Sequence, residues 1–407
     1  MRWMSLIGIA LILGFAVLLS TNRRAINLRI VVSALALQAA IAALVLYVPA
    51  GRSAVLALSR GVEAGIGYSQ TGIDMVFGPL ADTSRGISFA VHVLPIVIFF
   101  AALMSILYHL GIMQWVVKIV GGALRWVIGT STVESLCAAA TIFVGQTESP
   151  LAIRPYLRRL TPAQVFTVMA TGMAGVAGTV LAAYAQLGVK LEYLLPASFM
   201  AAPGGLLMAK LIMPDDPAHA RERKDDEVLH TDEARHANVI MAAGVGAFDG
   251  VKLAVAIGAM LIAFVALIAL FNGLVGWVGG LFGVEGLTLE RILGYVFGPL
   301  MYLLSVPWPE AHIAGAFFGE KLILNEFVAY LHFGQIADTL SPRAEAITTF
   351  ALCGFANLAS IAIQMGALGS LVPELREFIA RYGLRAVAAG SLSNLLSAAL
   401  AGLLLDV

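Results

Sequence analysis

Glu134-Ser-Leu-Cys-Ala-Ala-Ala-Thr-Ile-Phe-Val-Gly-Gln-Thr-Glu-Ser-Pro-Leu-Ala-Ile-Arg-Pro-Tyr-Leu-Arg158 is the stretch that decides the fold. It is apolar on both flanks of a polar centre, Gly145-Gln-Thr-Glu-Ser-Pro150. One crossing of about 30 Å of hydrocarbon takes roughly 20 helical residues, so the segment is too short to cross twice. It is expected to enter the membrane, turn at mid-depth and leave on the side it came from. Such backbone is tolerated only where protein or a water-filled cavity satisfies its free N–H and C=O groups, so the turn lines a cavity. Glu148 sits in that turn. A carboxylate at bilayer depth costs about 2.5 to 3.5 kcal/mol on insertion scales, which marks it as a functional residue.

The pattern recurs between Glu310 and Ser341, with Lys321, Asn325 and Glu326 at its centre. Thr161-Pro162 and Ser341-Pro342 open the spans that follow, 180 residues apart (341 − 161). Proline fits a helix start through its fixed φ and missing N–H. Thr171-Gly-Met-Ala-Gly-Val-Ala-Gly178 aligns with Cys353-Gly-Phe-Ala-Asn-Leu-Ala-Ser360 at 182 (353 − 171), and Glu148 with Glu326 at 178 (326 − 148). These drifting offsets describe a duplication with small insertions. Gly172, Gly175 and Gly178, and Gly354 with Asn357 and Ser360, are expected to unwind their helices and free carbonyls for a cation. The competing reading is that small residues there allow close helix packing. The glycines alone leave both open.

Composition sets the class. The chain has 407 residues, 60% hydrophobic and 12% charged, against about 25% charged in a soluble domain. Mean hydropathy is +0.90. The expectation is an all-α polytopic membrane protein in a lipid bilayer. Zero net charge and the lack of basic runs interleaved with aromatics exclude nucleic-acid binding. Cys137 and Cys353 read as small buried hydrophobes. Eight transmembrane spans are predicted: Trp3 to Ser20, Ile30 to Val48, Ile87 to Met113, Thr161 to Leu187, Tyr193 to Met213, Leu253 to Leu274, Ala346 to Leu371 and Ala386 to Leu405. Thr21-Asn-Arg-Arg24 offers no small-residue cleavage site, so the first apolar stretch reads as a retained span. Gly51 to Arg85 and Gln114 to Ile128 read as interfacial, and Asp249 with Lys252 as the solvated entry to span six.

Arg23, Arg24 and Arg29, Arg154, Arg158 and Arg159, and Arg376, Arg381 and Arg385 fall on one side of eight crossings, with the soluble linker Met213 to Asn238. By the positive-inside rule that side is cytoplasmic and both termini lie outside. The first hairpin then enters from the cytoplasm and the second from outside. That is an inverted repeat, an architecture of secondary transporters with sites at the midplane. The implied divisions are 1–130, 131–213, 214–248, 249–308 and 309–407.

At the midplane lie Gln146, Thr147, Glu148, Asn325, Glu326, Asn357 and Ser360, with Phe355 nearby. Amides, hydroxyls and carboxylates without Arg suit a neutral ligand rich in hydroxyl and ring N–H groups. Lys321 is expected to snorkel toward the interface. Glu134 and Glu310, at the hairpin starts, read as carboxylates complementing helix dipoles.

Gly145-Gln-Thr-Glu148, Asn325-Glu-Phe-Val-Ala-Tyr330 and Gly354-Phe-Ala-Asn-Leu-Ala-Ser360 together resemble the concentrative nucleoside transporters, of the bacterial eight-span type. The resemblance covers almost the whole chain. It implies uphill nucleoside uptake, in a homotrimer of the inner membrane, by an elevator motion of a transport domain against a scaffold. Spans one, two, three and six would be scaffold, and the hairpins with spans four, five, seven and eight the moving part. It assigns Gln146, Thr147, Glu148 and Val180 to the nucleobase, Glu326, Asn357 and Ser360 to the ribose, and Phe355 to packing near the sugar. The family's sodium site corresponds here to Thr141, where relatives carry Asn, to the carbonyls of Val144 and Val176, and to Gly175 in place of a hydroxyl residue. Both departures weaken a site of hard oxygen ligands. Sodium is slightly favoured as coupling ion. The alternative is a proton carried by Glu148 or Glu326. No cofactor is expected.

Two other classes compete. An intramembrane enzyme could use Glu148 and Glu326 as an acid/base pair. The chain shows no nucleophile–base arrangement, no His-Glu-x-x-His motif and no activated Cys, and an enzyme gives no reason for inverted symmetry. A channel could build a filter from polar hairpins. The polar groups differ between the halves, as a shaped ligand requires.

Overall fold

The computed structural model describes residues 2–82, 88–216 and 236–405, and among them every regular element is helical. The first half runs α1 (Arg2–Leu18), α2 (Leu28–Leu46), α3 (Pro49–Phe77), a π turn into α4 (Leu94–His109), and α5 (Ile112–Ile128). The first hairpin follows as α6 (Thr132–Ala140), a tight turn, and a 3-10 arm over Ser149–Arg159. Then come α7 (Pro162–Ala174), α8 (Gly178–Gln186) and α9 (Leu191–Ile212). The second half repeats the plan with α10 (Val239–Leu281), α11 (Leu289–Leu303), hairpin helices α12 (Trp308–Ile323) and α13 (Glu326–Ile336), α14 (Pro342–Leu352), α15 (Ala359–Leu371) and α16 (Leu375–Leu404).

Among the described residues six helices are long and apolar enough to cross a membrane, and α1 and α15 are shorter apolar ones. The eight predicted spans correspond to α1, α2, α4, α7–α8, α9, α10, α14–α15 and α16. Several boundaries differ from the sequence reading. Span six begins at Val239 within a helix of 43 residues, so Asp249 and Lys252 form an exposed pair (2.8 Å) along α10 rather than an entry loop. Span eight begins at Leu375. The segment ahead of the second hairpin is itself helical: α11 meets α12 at a bend of 117°. The start of span three and most of the linker from Met213 to Asn238 lie outside the described residues.

Local chemistry sets the helix starts. Ser131 and Glu134 close a capping box on α6, and Thr161 and Gln164 close another on α7. Ser341 caps α14 through its side chain. As expected, Glu134 and Glu310 serve helix starts, and they also tie each hairpin to the next span. Glu134 accepts from Thr167 Oγ1 (2.9 Å) and from buried Lys210, while Glu310 accepts from the Ser341 amide (2.7 Å) and hydroxyl (2.6 Å). In the second arm of the first hairpin, Pro150 and Pro155 remove amide donors, which favours the tighter, irregular 3-10 path.

The core gathers around α7, α9 and α16, which are buried on nearly every face, while α10 is mostly exposed. The outer helix α2 lies against α9 and α16. There Gln38 Nε2 donates to Ser397 Oγ (2.9 Å), while Gln38 Oε1 and Ser393 Oγ, both buried, have no partner among the described residues. Small residues permit the α4–α10 contact. A Cβ on Gly250 would lie 2.7 Å from Ile98 Cα and 2.9 Å from Ala101 Cβ, whereas one on Gly244 would meet nothing within 4 Å. Gly250→Ala should therefore cost about 1–3 kcal/mol through overpacking, read as a lower melting temperature in detergent. Gly244→Ala should show no loss.

Candidate functional site

Both spans expected to unwind do so. Between α7 and α8 the chain is extended at Gly175 (φ −94°, ψ 171°), and α14 and α15 are separated by Cys353 to Leu358. The two broken segments meet directly, with the Phe355 amide donating to the Gly175 carbonyl (3.1 Å). The first hairpin turn packs on the same place, where the Gly178 amide donates to the Phe143 carbonyl (3.0 Å). A Cβ on Gly178 would stand 3.0 Å from that carbonyl oxygen, and one on Gly175 would stand 3.1 Å from the Thr141 carbonyl oxygen. Unwinding and close approach, alternatives in the sequence, are both realised here.

Around this crossing the structure joins polar groups from four segments. Gln146 Nε2 donates to Ser360 Oγ (2.9 Å), and the Ser360 hydroxyl donates to the Phe355 carbonyl. The Ser360 amide donates to Asn357 Oδ1 (2.9 Å), and Asn357 Nδ2 donates to Glu326 Oε2 (3.2 Å). Asn325 caps α13 by accepting from the Val328 amide (2.9 Å), which aims Glu326 inward from the first helical position. Gln146, Asn325, Glu326, Asn357 and Ser360 are all buried. Thr147 and Phe355 are half-buried, Val180 is buried, and Glu148 is exposed at the hairpin tip with its carboxylate curled over Gly145. Glu148 therefore stands apart from the linked chain of groups.

Two participants escaped the sequence reading. Tyr184 Oη donates to Glu326 Oε1 (3.0 Å), and its ring packs on Tyr330 (centroids 4.6 Å apart) and Phe327 (5.2 Å). Gln364, one turn beyond Ser360, donates to Gln146 Oε1 (3.2 Å) and the Met169 carbonyl (3.0 Å). An amide inside the apolar α15 was the available signal.

One expectation is corrected. Lys321 does not snorkel: it is fully buried, and Nζ donates to Asn394 Oδ1 (2.7 Å) and the Ala351 carbonyl (2.9 Å). Carbonyls at nearby helix ends offer the ammonium acceptors that the interface would otherwise supply.

Of the residues expected at a sodium site, Thr141 and Gly175 are in close contact. Thr141 is buried against Gly175, and its hydroxyl donates to the Ala138 carbonyl (2.7 Å), which leaves oxygen lone pairs free. Among the described residues no hydrogen bond ends on the carbonyl oxygens of Thr141, Val144 or Val176. Gly175 contributes no side chain.

Models of the Na+ dependent nucleoside transporter match the N-terminus at residues 7–80 and the C-terminus at 193–402, and a nucleoside recognition "Gate" model matches 90–190. The chain belongs to the concentrative nucleoside transporter family. Members of this family are transporters, not enzymes, and this one is a multi-pass membrane protein. It is 51% identical to an uncharacterized transporter of Haemophilus influenzae, covering 99% of this chain and 98% of that one. It is 47% identical to the nucleoside permease NupC of Helicobacter pylori, over 99% and 98%. The transporter CNTnw, solved in an inward-facing substrate-bound state, superposes with a TM-score of 0.93 at 49% identity, over 99% of this chain and 98% of that one. A variant of CNTnw in an outward-facing state gives 0.95 at 50%, over 99% and 98%. CNTnw, whose fold this chain shares, has thus been solved in inward-facing and, as a variant, outward-facing states.

The cap on α13 gives a direct test. Asn325→Ala should cost about 1 kcal/mol as a lost N-cap, and Asn325→Asp should retain most of it, both read from melting temperatures.

Proposed function

We propose that this chain is a secondary active symporter that imports nucleosides, uridine among them, together with a cation. One observation carries the reading: the buried chain Gln146–Ser360–Asn357–Glu326 forms where both helix breaks and both hairpins meet. Amide and carboxylate oxygens there accept ribose hydroxyl protons, and amide N–H groups donate. Glu326, Asn357 and Ser360 hold the ribose with Phe355 beside it. Gln146, Thr147 and Glu148 read the base against Val180. The exposed position of Glu148 supports contact through water or after hairpin closure.

Sodium is the favoured coupling ion. Thr141 Oγ1 and the carbonyls of Val144 and Val176 form a set of hard oxygen ligands, and the absence of competing hydrogen bonds on those carbonyls supports it. Gly175, which supplies no hydroxyl, favours the second reading, coupling to a proton carried by Glu148 or Glu326. In the working arrangement residues 131–213 and 309–407 move as an elevator against a scaffold from 1–130 and 249–308. Three such chains assemble in the inner membrane, with both termini outside the cytoplasm and 214–248 as a cytoplasmic linker.

Radiolabelled uridine uptake into proteoliposomes tests this. An inward sodium gradient should drive accumulation, and Glu326→Gln should abolish it. Accumulation driven only by a proton gradient would transfer the coupling to protons, and gradient-independent flux would overturn symport. Thr141→Val should raise the sodium concentration for half-maximal uptake about tenfold, equivalent to about 1.4 kcal/mol. Tyr184→Phe removes a hydrogen bond to a carboxylate, in the range of about 1.5–3 kcal/mol, and should weaken uridine binding at least about tenfold by calorimetry.

A further inference from the structure

Lys321 is fully buried, yet no carboxylate pairs with it among the described residues. A buried ammonium needs compensation, since leaving a charge unpaired in a low-dielectric interior is costly. Its hydrogen-bond partners are dipoles. Nζ donates to the Ala351 carbonyl in the last turn of α14 and to Asn394 Oδ1 from α16, and it lies 5.7 Å from the Phe318 ring centroid. Lys321 itself occupies the last turn of α12.

Asn394 extends this contact in the other direction. Its Nδ2 donates to the Ala174 carbonyl, the end of α7, and to the Cys353 carbonyl, just past the end of α14, each at 2.7 Å. The negative ends of α7 and α14 thus converge on one amide and one ammonium. Each helix C-terminus carries roughly half a negative charge, which an adjacent cation offsets. An amide whose oxygen accepts from a cation becomes a stronger donor through its N–H groups, since linked hydrogen bonds polarise one another. The join is close: a Cβ on Gly354 would overlap Asn394 Oδ1 and stand 2.6 Å from the Ala174 carbonyl oxygen.

We propose that Lys321 is a tethered counter-cation that, through Asn394, clamps the two helix breaks together and thereby holds the ribose-facing groups in place. In the first half the Ala174 and Gly175 carbonyls are held by Asn394 and Phe355, and the Val176 carbonyl just past the break accepts no hydrogen bond among the described residues. In the second half the corresponding negative helix ends are neutralised by a cation that belongs to the chain. Glu326 follows Lys321 by one short turn, and Asn357 and Ser360 follow the clamped Cys353 directly. Lys321 is therefore a positioning residue acting on specificity, with no contact of its own to the ligand. This inference rests on the ribose reading of Glu326, Asn357 and Ser360.

The test compares uridine with 2′,3′-dideoxyuridine by calorimetry on the purified full-length protein in sodium chloride. Wild type should prefer uridine. Lys321→Met, which keeps the stem and removes the charge, should reduce that preference at least about tenfold by weakening uridine and leaving the dideoxy compound little changed. A general loss of folding would weaken both alike and keep the ratio, which would overturn the proposal. Asn394→Ser, which cuts the clamp and leaves the charge in place, should shift the ratio in the same direction. If Lys321→Met does not yield a monodisperse protein, an unchanged ratio in Asn394→Ser overturns the proposal by itself. A wild type that binds uridine no better than the dideoxy compound would refute the ribose reading and the inference built on it.

Discussion

A helix that stops in the middle of a membrane leaves carbonyls and amides that no lipid can satisfy, and the architecture of this protein follows from that constraint. Four segments stop there: α7, α14 and the first helix of each hairpin. Their free groups are spent on one another, as in the Phe355 amide to Gly175 and the Gly178 amide to Phe143, or on a few buried side chains such as Asn394. The carbonyls of Thr141, Val144 and Val176 accept no hydrogen bond among the described residues.

The two halves resolve this constraint differently. Near the first break, the Thr141 and Val176 carbonyls accept no hydrogen bond among the described residues. Near the second, Lys321 places a charged group against Ala351 and Asn394, and Asn357 turns toward Glu326. The two halves share a plan of hairpin and broken span, and their hairpin backbones and side chains differ.

Much of this was legible in the sequence because membrane insertion penalises polar residues so strongly. Gln146, Glu326, Asn357 and Ser360 stood out as polar groups in apolar surroundings, and the structure joins them. The helix breaks were readable from glycines in the spans that open on Thr161-Pro162 and Ser341-Pro342, beside hairpins that recur at a similar offset. What was hidden depended on direction in space. Lys321 has a stem long enough to reach the interface, and only the positions of Asn394 and Ala351 show that it turns inward. Tyr184 carries no signal in its apolar sequence, and only the fold brings its hydroxyl to Glu326. The extent of α10 was obscured because Asp249 and Lys252 read as a water-exposed entry, whereas they pair with each other along a continuous helix.

The contact of α2 with α9 and α16 has a mechanical consequence. Gln38 donates one side-chain hydrogen bond there, to Ser397, while its carbonyl oxygen and the neighbouring Ser393 hydroxyl go unpartnered among the described residues. A face stitched by many matched polar pairs would hold a single register, because each shift would strand them all. Here a displacement forfeits little, and Ser393, one helical turn from Ser397, offers the same amide a second foothold. The face between α2 and the α9–α16 pair is therefore held in register by few polar matches.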